Sequence, residues 1–505
     1  MIRKICKSFL KPSYLFLFSF IFLISFTARA LTYEEVLSLG LPVVVVQTED
    51  DEEPSCEYIT HPEGSLGSSI TNATKVPGYI EVYSNKNELI YSSGEYEKGE
   101  SGMTIKIRGN TSAYGAKKPF KIKLQKKGDL LGRNNKDYND KNWALLNDNE
   151  MKLIIGFNVS RFIGQDWTPE GMYVNLIMNG DYRGLYYLVE SIERNEKCRI
   201  DVSDTGFVIE HDAYWWNEDN QYLSSIHLPT LGYTFKFPDF EDIKEEELEK
   251  YQEIVAEYET SLSEGSYMEK IELESFAKWI LAHDILGTWD GAGSNFYLTK
   301  YDINDESKIK AGPLWDFDTI EKIMEDWSSP HIVNNRFDGL FKGTQLDFRE
   351  AYVNLWEDKR REIYKNLISL IDSFNDLETW NAYNKSVIAS NKRWSSSHPT
   401  SSFLVKDTKK WFEKRFKWLH SRIEVIKKEI DYAGVKMIED YHPINYKVIP
   451  NGIIPNDSGM ILNIIGIDGR LIRQEISQKD QPVTVSNPGI YIFRMDNDFV
   501  KIRVK

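Results

Sequence analysis

Trp289-Asp290-Gly291-Ala292-Gly293-Ser294-Asn295 and Trp315-Asp316-Phe317-Asp318 are the two stretches that decide how this chain is read. The first follows Leu273–Leu286, where Leu273, Phe276, Ala277, Ile280 and Leu281 recur at the spacing of one helix face. Between the two stretches, Phe296–Lys300 and Lys308–Ala311 flank a polar turn near Asn304-Asp305, which predicts a hairpin. The order is therefore buried helix, loop with Asp-x4-Asn, hairpin, second acidic loop.

Phosphoryl transfer needs one carboxylate at the attacking hydroxyl. It also needs an amide oxygen and a second carboxylate to hold divalent metal on the phosphates. Asp290, Asn295 and Asp316, with Asp318 as an alternative to Asp316, offer those groups. Protein kinases set the same three groups in the same order, with the same Asp-to-Asn spacing. Oxygen donors of this kind suit hard cations such as Mg²⁺ or Mn²⁺. The plainer reading is that Asp316 and Asp318 cap a helix starting at Thr319, and that an isolated Asp-x4-Asn is a common accident. A glycoside hydrolase built on two carboxylates is a third reading.

A phosphate site also wants fixed positive charge. Met103–Arg108 alternates, with Ile105 and Ile107 on one face and Thr104, Lys106 and Arg108 on the other. Phe120–Leu124 alternates too, with Lys121 and Lys123 on one face, and a polar, glycine-bearing loop, Gly109–Gly115, lies between. This strand–loop–strand form places Arg108 and either Lys118 or Lys121 over one pocket, with Glu190 or Glu210 positioning the lysine. The plainer reading is an exposed lysine face on a strand. Gly94–Ser101 has the spacing of a phosphate-binding loop, but Glu100 stands where the lysine belongs and would repel phosphate. Gly-x-Ser-x-Gly, His-Glu-x-x-His and EF-hand signatures are absent.

The 505 residues include 13 Trp and 28 Tyr within a 41% hydrophobic composition, enough for a substantial core. The net charge of −15 makes general binding to nucleic acid or anionic membranes unfavourable. Arg3, Lys4, Lys7 and Lys11 precede the apolar run Tyr14–Phe26, and Ala28-Arg29-Ala30 gives a small-x-small pattern. Residues 1–30 therefore read as a secretory signal peptide, and no transmembrane span is expected after its removal. Cys56 and Cys198 remain, either as a pair formed on export or as separate thiols.

Other short strands are expected at Val43–Gln47, Gly78–Tyr83, Leu89–Ser92, Tyr173–Met178, Gly184–Val189, Phe207–His211 and Tyr233–Phe237. Asn179-Gly180 marks a tight hairpin. Helices are expected at Glu150–Gly164, Asp242–Ser263 and across much of Leu346–Tyr432. Beyond Tyr441 the chain reads as a small β-sandwich with strands at Ile444–Ile449, Met460–Ile465, Arg470–Glu475, Val483–Val485, Ile490–Met495 and Val500–Val504.

Taken together these segments resemble the CotH kinase family, named for spore coat protein H. The carrying residues are Arg108-Gly109-Asn110-Thr111-Ser112 with Lys117–Lys121, Asn142–Asn147, Val174–Tyr186, Glu190, Asp290, Asn295, Tyr297 and Trp315–Asp318. The likeness covers roughly residues 100 to 420. It implies an atypical, secreted protein-kinase fold that transfers phosphate from ATP to Ser or Thr of a protein substrate. It further implies Asp290 as catalytic aspartate, Asn295 and Asp316 (or Asp318) as metal ligands, and Lys118 or Lys121 at phosphate. Family members often carry an Arg-Asn pair where this chain reads Leu153-Ile154-Ile155-Gly156-Phe157. The family also includes surface proteins, so a non-catalytic surface or adhesion protein with a surface ligand is the alternative. Gly466–Arg470, Pro488–Phe493 and Val500–Lys505 resemble a type A sorting domain of the type IX secretion system, which implies handling by that machinery and a cell-surface destination.

The expected architecture is α+β. A signal peptide (1–30) precedes a β-rich segment (31–99), an atypical kinase-like domain (100–432) with antiparallel strands first and helices later, and the C-terminal β-sandwich (441–505).

Overall fold

The computed structural model describes residues 31–504 apart from 66–67, 71–72, 149, 218–221, 289–290, 292–293, 318–319, 321–326, 329–336, 342–346, 376–377, 441–445, 468 and 496–497. The expected signal peptide, Asp290 and Asp318 lie outside the described residues.

A short helix α1 (Tyr33–Leu37) precedes β1 (Val43–Thr48), and a small hairpin follows, β2 (Tyr58–Thr60) with β3 (Ser68–Ile70). Then come β4 (Val76–Tyr83), β5 (Leu89–Ser92), β6 (Met103–Ile107), β7 (Phe120–Gly128), β8 (Asp140–Leu146), helix α2 (Lys152–Ile163), β9 (Gly171–Met178) and β10 (Asp181–Glu190). The sheet order is β1-β9-β10-β8-β7-β6-β4-β5, and β1 also pairs with β4. Seven strands thus close a barrel, with β5 attached outside the ring. The strands of residues 31–99 and those that follow share this barrel. Alternation explains its filling: Val44, Val46, Ile80, Ile105, Ile122, Trp143, Leu145, Val174, Leu176 and Leu188 meet inside. Strands β8, β9 and β10 are apolar on both faces, because Ala144, Leu146, Tyr173, Leu185, Tyr187 and Val189 turn outward into a second core shared with α2.

That second core belongs to a five-stranded sheet and a helical bundle. The sheet is β12-β13-β11-β14-β15, made from β11 (Phe207–Asp212), β12 (Tyr222–Leu223), β13 (Gly232–Phe237), β14 (Phe296–Lys300) and β15 (Lys310–Ala311). Helices α3 (Glu245–Glu264) and α4 (Leu273–Leu286) lie between β13 and β14 in sequence. Then follow α5 (Asp338–Phe341), α6 (Asp347–Ser373), α7 (Glu378–Trp394) and α8 (Ser401–Asp440). Helix α4 is buried nearly all round, and Gly287 ends it at φ +66.

The C-terminal segment forms two antiparallel sheets. One is β16 (Tyr446–Ile449), β17 (Gly452–Pro455) and β20 (Val483–Thr484). The other is β18 (Ile461–Gly466), β19 (Leu471–Ile476), β21 (Gly489–Met495) and β22 (Asp498–Val504). They enclose their own core of Tyr446, Ile453, Leu462, Ile464, Phe493 and Val500. The expected mixture of strands and helices followed by a small β unit is what the chain adopts. Cys56 and Cys198 are free thiols. Among the described residues no helix is long and apolar enough to cross a membrane.

Candidate functional site

The central strand of the second sheet, β11, separates chemistry by alternation. Ile209 and His211 turn toward the buried core, where the strand neighbours Tyr233, Phe296 and Leu298 also lie. Glu210 and Asp212 turn to the other face. The register places Thr234 and Tyr297 on either side of Glu210. Glu210 Oε2 pairs with Lys236 Nζ at 2.9 Å, and Oε1 accepts the backbone N–H of Asn295 at 3.1 Å. Asp212 accepts from the Ser294 hydroxyl at 3.2 Å and from the Tyr214 N–H at 2.8 Å. The two carboxylates of β11 therefore anchor the end of the loop that carries Asn295.

Asn295 (φ +61) and Asp316 (φ +56) both adopt left-handed backbone conformations. Asn and Asp tolerate that region better than other side-chain-bearing residues, and such strain concentrates at functional sites. Each sits where an acidic loop turns, Asn295 entering β14 and Asp316 between the buried Trp315 and Phe317.

The outer face of the barrel supplies the opposing charge. Lys106 and Lys121 stand directly opposite across β6 and β7. Lys121 pairs with Glu193 at 3.7 Å. Burial holds the Lys121 ammonium below the usual lysine pKa; Glu193 opposes this, while Lys236, Arg108 and Lys123 add to it. The same environment raises Glu193, through burial first and against the pull of Lys121. The Arg108 guanidinium lies 5.6 Å from the centre of the Trp315 ring. Tyr297 joins the two sides. Burial keeps its hydroxyl protonated far up the pH scale, Glu210, Asp212 and Asp316 push the same way, and Arg108 opposes them.

Arg108, Lys121, Asn295 and Asp316 are thus brought to one polar interface between barrel and sheet. Lys118 is engaged elsewhere. Its ammonium donates to the Tyr58 hydroxyl at 2.9 Å and to the Ala113 carbonyl at 2.6 Å, and Tyr58 stacks on Tyr114 at 4.3 Å. Glu190 is buried against Arg133 at 2.8 Å, in a network with Asp129 and Glu170, and is paired with neither Lys118 nor Lys121. Asp290 and Asp318 flank described residues of the two loops but are themselves outside the description.

Lys236, Asp212 and Glu193 escaped the reading of the sequence. The signal for the first two is the period-2 pattern Glu210-x-Asp212 and Thr234-x-Lys236, which puts polar groups on one face of otherwise apolar strands. Glu193 lies in a loop and leaves no such pattern. The chemistry of the donor set fits a hard divalent cation: the Asn295 amide and the Asp316 carboxylate both offer oxygen donors. A second group of metal-type donors, Glu357, His420 and Glu424, brings ligand atoms within 4.8 Å of one another. There the Arg360 guanidinium already lies 3.1 Å from the His420 ring nitrogens and 3.0 Å from Glu357.

No curated protein matches the chain. The family model described as CotH kinase protein matches residues 105–419, more than half of the 505 residues, and spans the basic strands, the polar face of the second sheet and both acidic loops. The chain belongs to the CotH kinase family.

Proposed function

We propose that the protein is an exported atypical kinase that transfers the γ-phosphate of ATP to Ser or Thr of a protein. The observation that carries this reading is the grouping of Arg108, Glu210 and Asp316 around Tyr297, with Asn295 and Lys236 held by Glu210 and Lys121 beside Arg108 and Lys236. Arg108 and Lys121 would bind the phosphates, and Glu210 holds Lys236 in place. Asn295 and Asp316, with Asp318 as the alternative to Asp316, would hold Mg²⁺ or Mn²⁺, which neutralises charge on the phosphates. Asp290 would accept the proton of the acceptor hydroxyl as its oxygen bonds to the γ-phosphorus and the bond to the β–γ bridging oxygen breaks, releasing ADP.

Export rests on the reading of residues 1–30 as a signal peptide, and surface delivery on the resemblance of the C-terminal segment to a sorting domain. The acceptor would be a protein outside the cytoplasm.

The test is transfer of labelled γ-phosphate by residues 31–440, with Mg²⁺ and Mn²⁺ assayed separately, beside Asp290→Ala and Asp316→Ala. Label on the protein or an added substrate, lost in both variants, supports the kinase. No label and no nucleotide-dependent rise in melting temperature would favour a non-catalytic surface protein of the same fold.

A further inference from the structure

His283 lies in the last turn of α4 and is fully buried at 0% exposure. It meets both acidic loops. Its Nδ1 is hydrogen-bonded to the Thr288 hydroxyl, at the start of the loop that carries Asp290 and Asn295. Further along the same loop, Gly291 rests on the imidazole ring. A Cβ there would fall 2.7 Å from Cε1 and 2.9 Å from Nδ1. The other loop reaches the ring through Phe317, between Asp316 and Asp318, with ring centres 6.4 Å apart. Trp279, one turn back on α4, closes the remaining side at 4.3 Å.

An imidazole is suited to this position because it offers flat faces for aromatic packing and a polar edge for Thr288. A phenyl ring supplies only the first, and an amide only the second. Burial depresses the His283 pKa to about 3, so the ring stays neutral and has no charge to exchange with substrate.

We infer that His283 is the positioning residue that fixes the two acidic loops relative to each other, a role whose chemical consequence rests on the phosphotransfer reading. The base Asp290 and the ligand Asn295 would come from one loop and the ligand Asp316 from the other, and phosphoryl transfer tolerates little misplacement between them. His283 acts through Thr288, Gly291 and Phe317.

The test uses the full chain with His283→Phe, His283→Asn, His283→Ala, Gly291→Ala and the double variant His283→Ala/Gly291→Ala, the last three forming a cycle. Hydrogen exchange is followed in peptides covering 288–295 and 314–318. Each His283 substitution is expected to speed exchange in both stretches while α6 and α8 keep wild-type protection. In the transfer assay, kcat is expected to fall about 10-fold or more with little change in KM for ATP. Gly291→Ala alone should show a similar loss, and the double variant should lose less than the product of the single losses, because removing the ring relieves the clash. Faster exchange in one stretch only, or single losses that multiply, would overturn the inference. If the wild-type chain transfers no phosphate, the kinase reading falls, and the exchange of the two stretches still decides the coupling.

Discussion

Glu210 and Asn295 are joined through the backbone: Glu210 Oε1 accepts the Asn295 N–H at 3.1 Å, while Oε2 holds Lys236 at 2.9 Å. One carboxylate on a rigid central strand therefore sets both the turn that presents Asn295 and the position of a cation. Glu210→Gln keeps an acceptor for the N–H but neutralises the partner of Lys236. Loss of a charge-assisted bond of about 2 kcal/mol corresponds to an expected fall of roughly 30-fold in kcat/KM for labelled phosphate transfer. Unchanged kinetics would remove Glu210 from the site.

Lys121 and Lys118 make opposite predictions although they are three residues apart. Lys121 lies among Arg108, Lys236 and Glu193, so Lys121→Met is expected to raise KM for ATP about 10-fold or more. Lys118 grips Tyr58 and Ala113, so Lys118→Met should cost stability and leave KM within about 3-fold. Steady-state kinetics and melting curves of the two variants separate them.

Gly156 is the contact point between α2 and the second acidic loop. A Cβ there would fall 2.1 Å from Phe317 Cγ, and Phe317 also meets Phe157 edge-on at 5.2 Å. Gly156→Ala is expected to destabilise the fold by about 2 kcal/mol through overpacking. Denaturant unfolding measures this, and a neutral result would mean that Phe317 is free to move aside.

Arg133 neutralises Asp129 and Glu190 in the buried network at the edge of the barrel. Arg133→Met would leave those two carboxylates buried without their ion-pair partner, and a cost of about 3 kcal/mol or more is expected. The matching Glu190→Gln change should cost less. Chemical denaturation of both variants checks the order.

Glu150 gives the pH dependence. Its hydrogen bond to His398 lowers its pKa to about 2, against the opposing effect of burial and with help from Lys152. The folded value lies below the ordinary 4.5, so the stabilisation is complete above that pH and is lost as pH falls toward 2. The pair is partly solvated, so about 2 kcal/mol is expected after screening. Glu150→Gln should flatten that part of the stability–pH curve, and an unaltered curve would contradict the assignment.

Local pattern carried much of the architecture. Leu273–Leu286 and Phe296–Lys300 form as their periodicity requires, and Asn179-Gly180 turns a hairpin with both residues at positive φ. Barrel closure is not written locally: β1 pairs parallel with β9 across more than a hundred residues, so residues 31–99 read as a separate β-rich segment although they complete the ring. The strand Gly452–Pro455 went unread because its Gly and Pro look like a turn. At the site, the acidic loops and the basic strands stood out through their residue types. Lys236 and Glu193 did not, because their roles depend on which strand faces which across the interface.

The most direct measurement is titration of Mn²⁺ with a non-hydrolysable ATP analogue, followed by electron paramagnetic resonance, on the wild-type chain, Asn295→Ala and Asp316→Asn. Nucleotide-dependent Mn²⁺ binding in the wild type, weakened about 10-fold or more in both variants, is the predicted result. Mn²⁺ and nucleotide bound equally well by all three proteins, or by none, would contradict the placement of a metal–nucleotide site on this polar face.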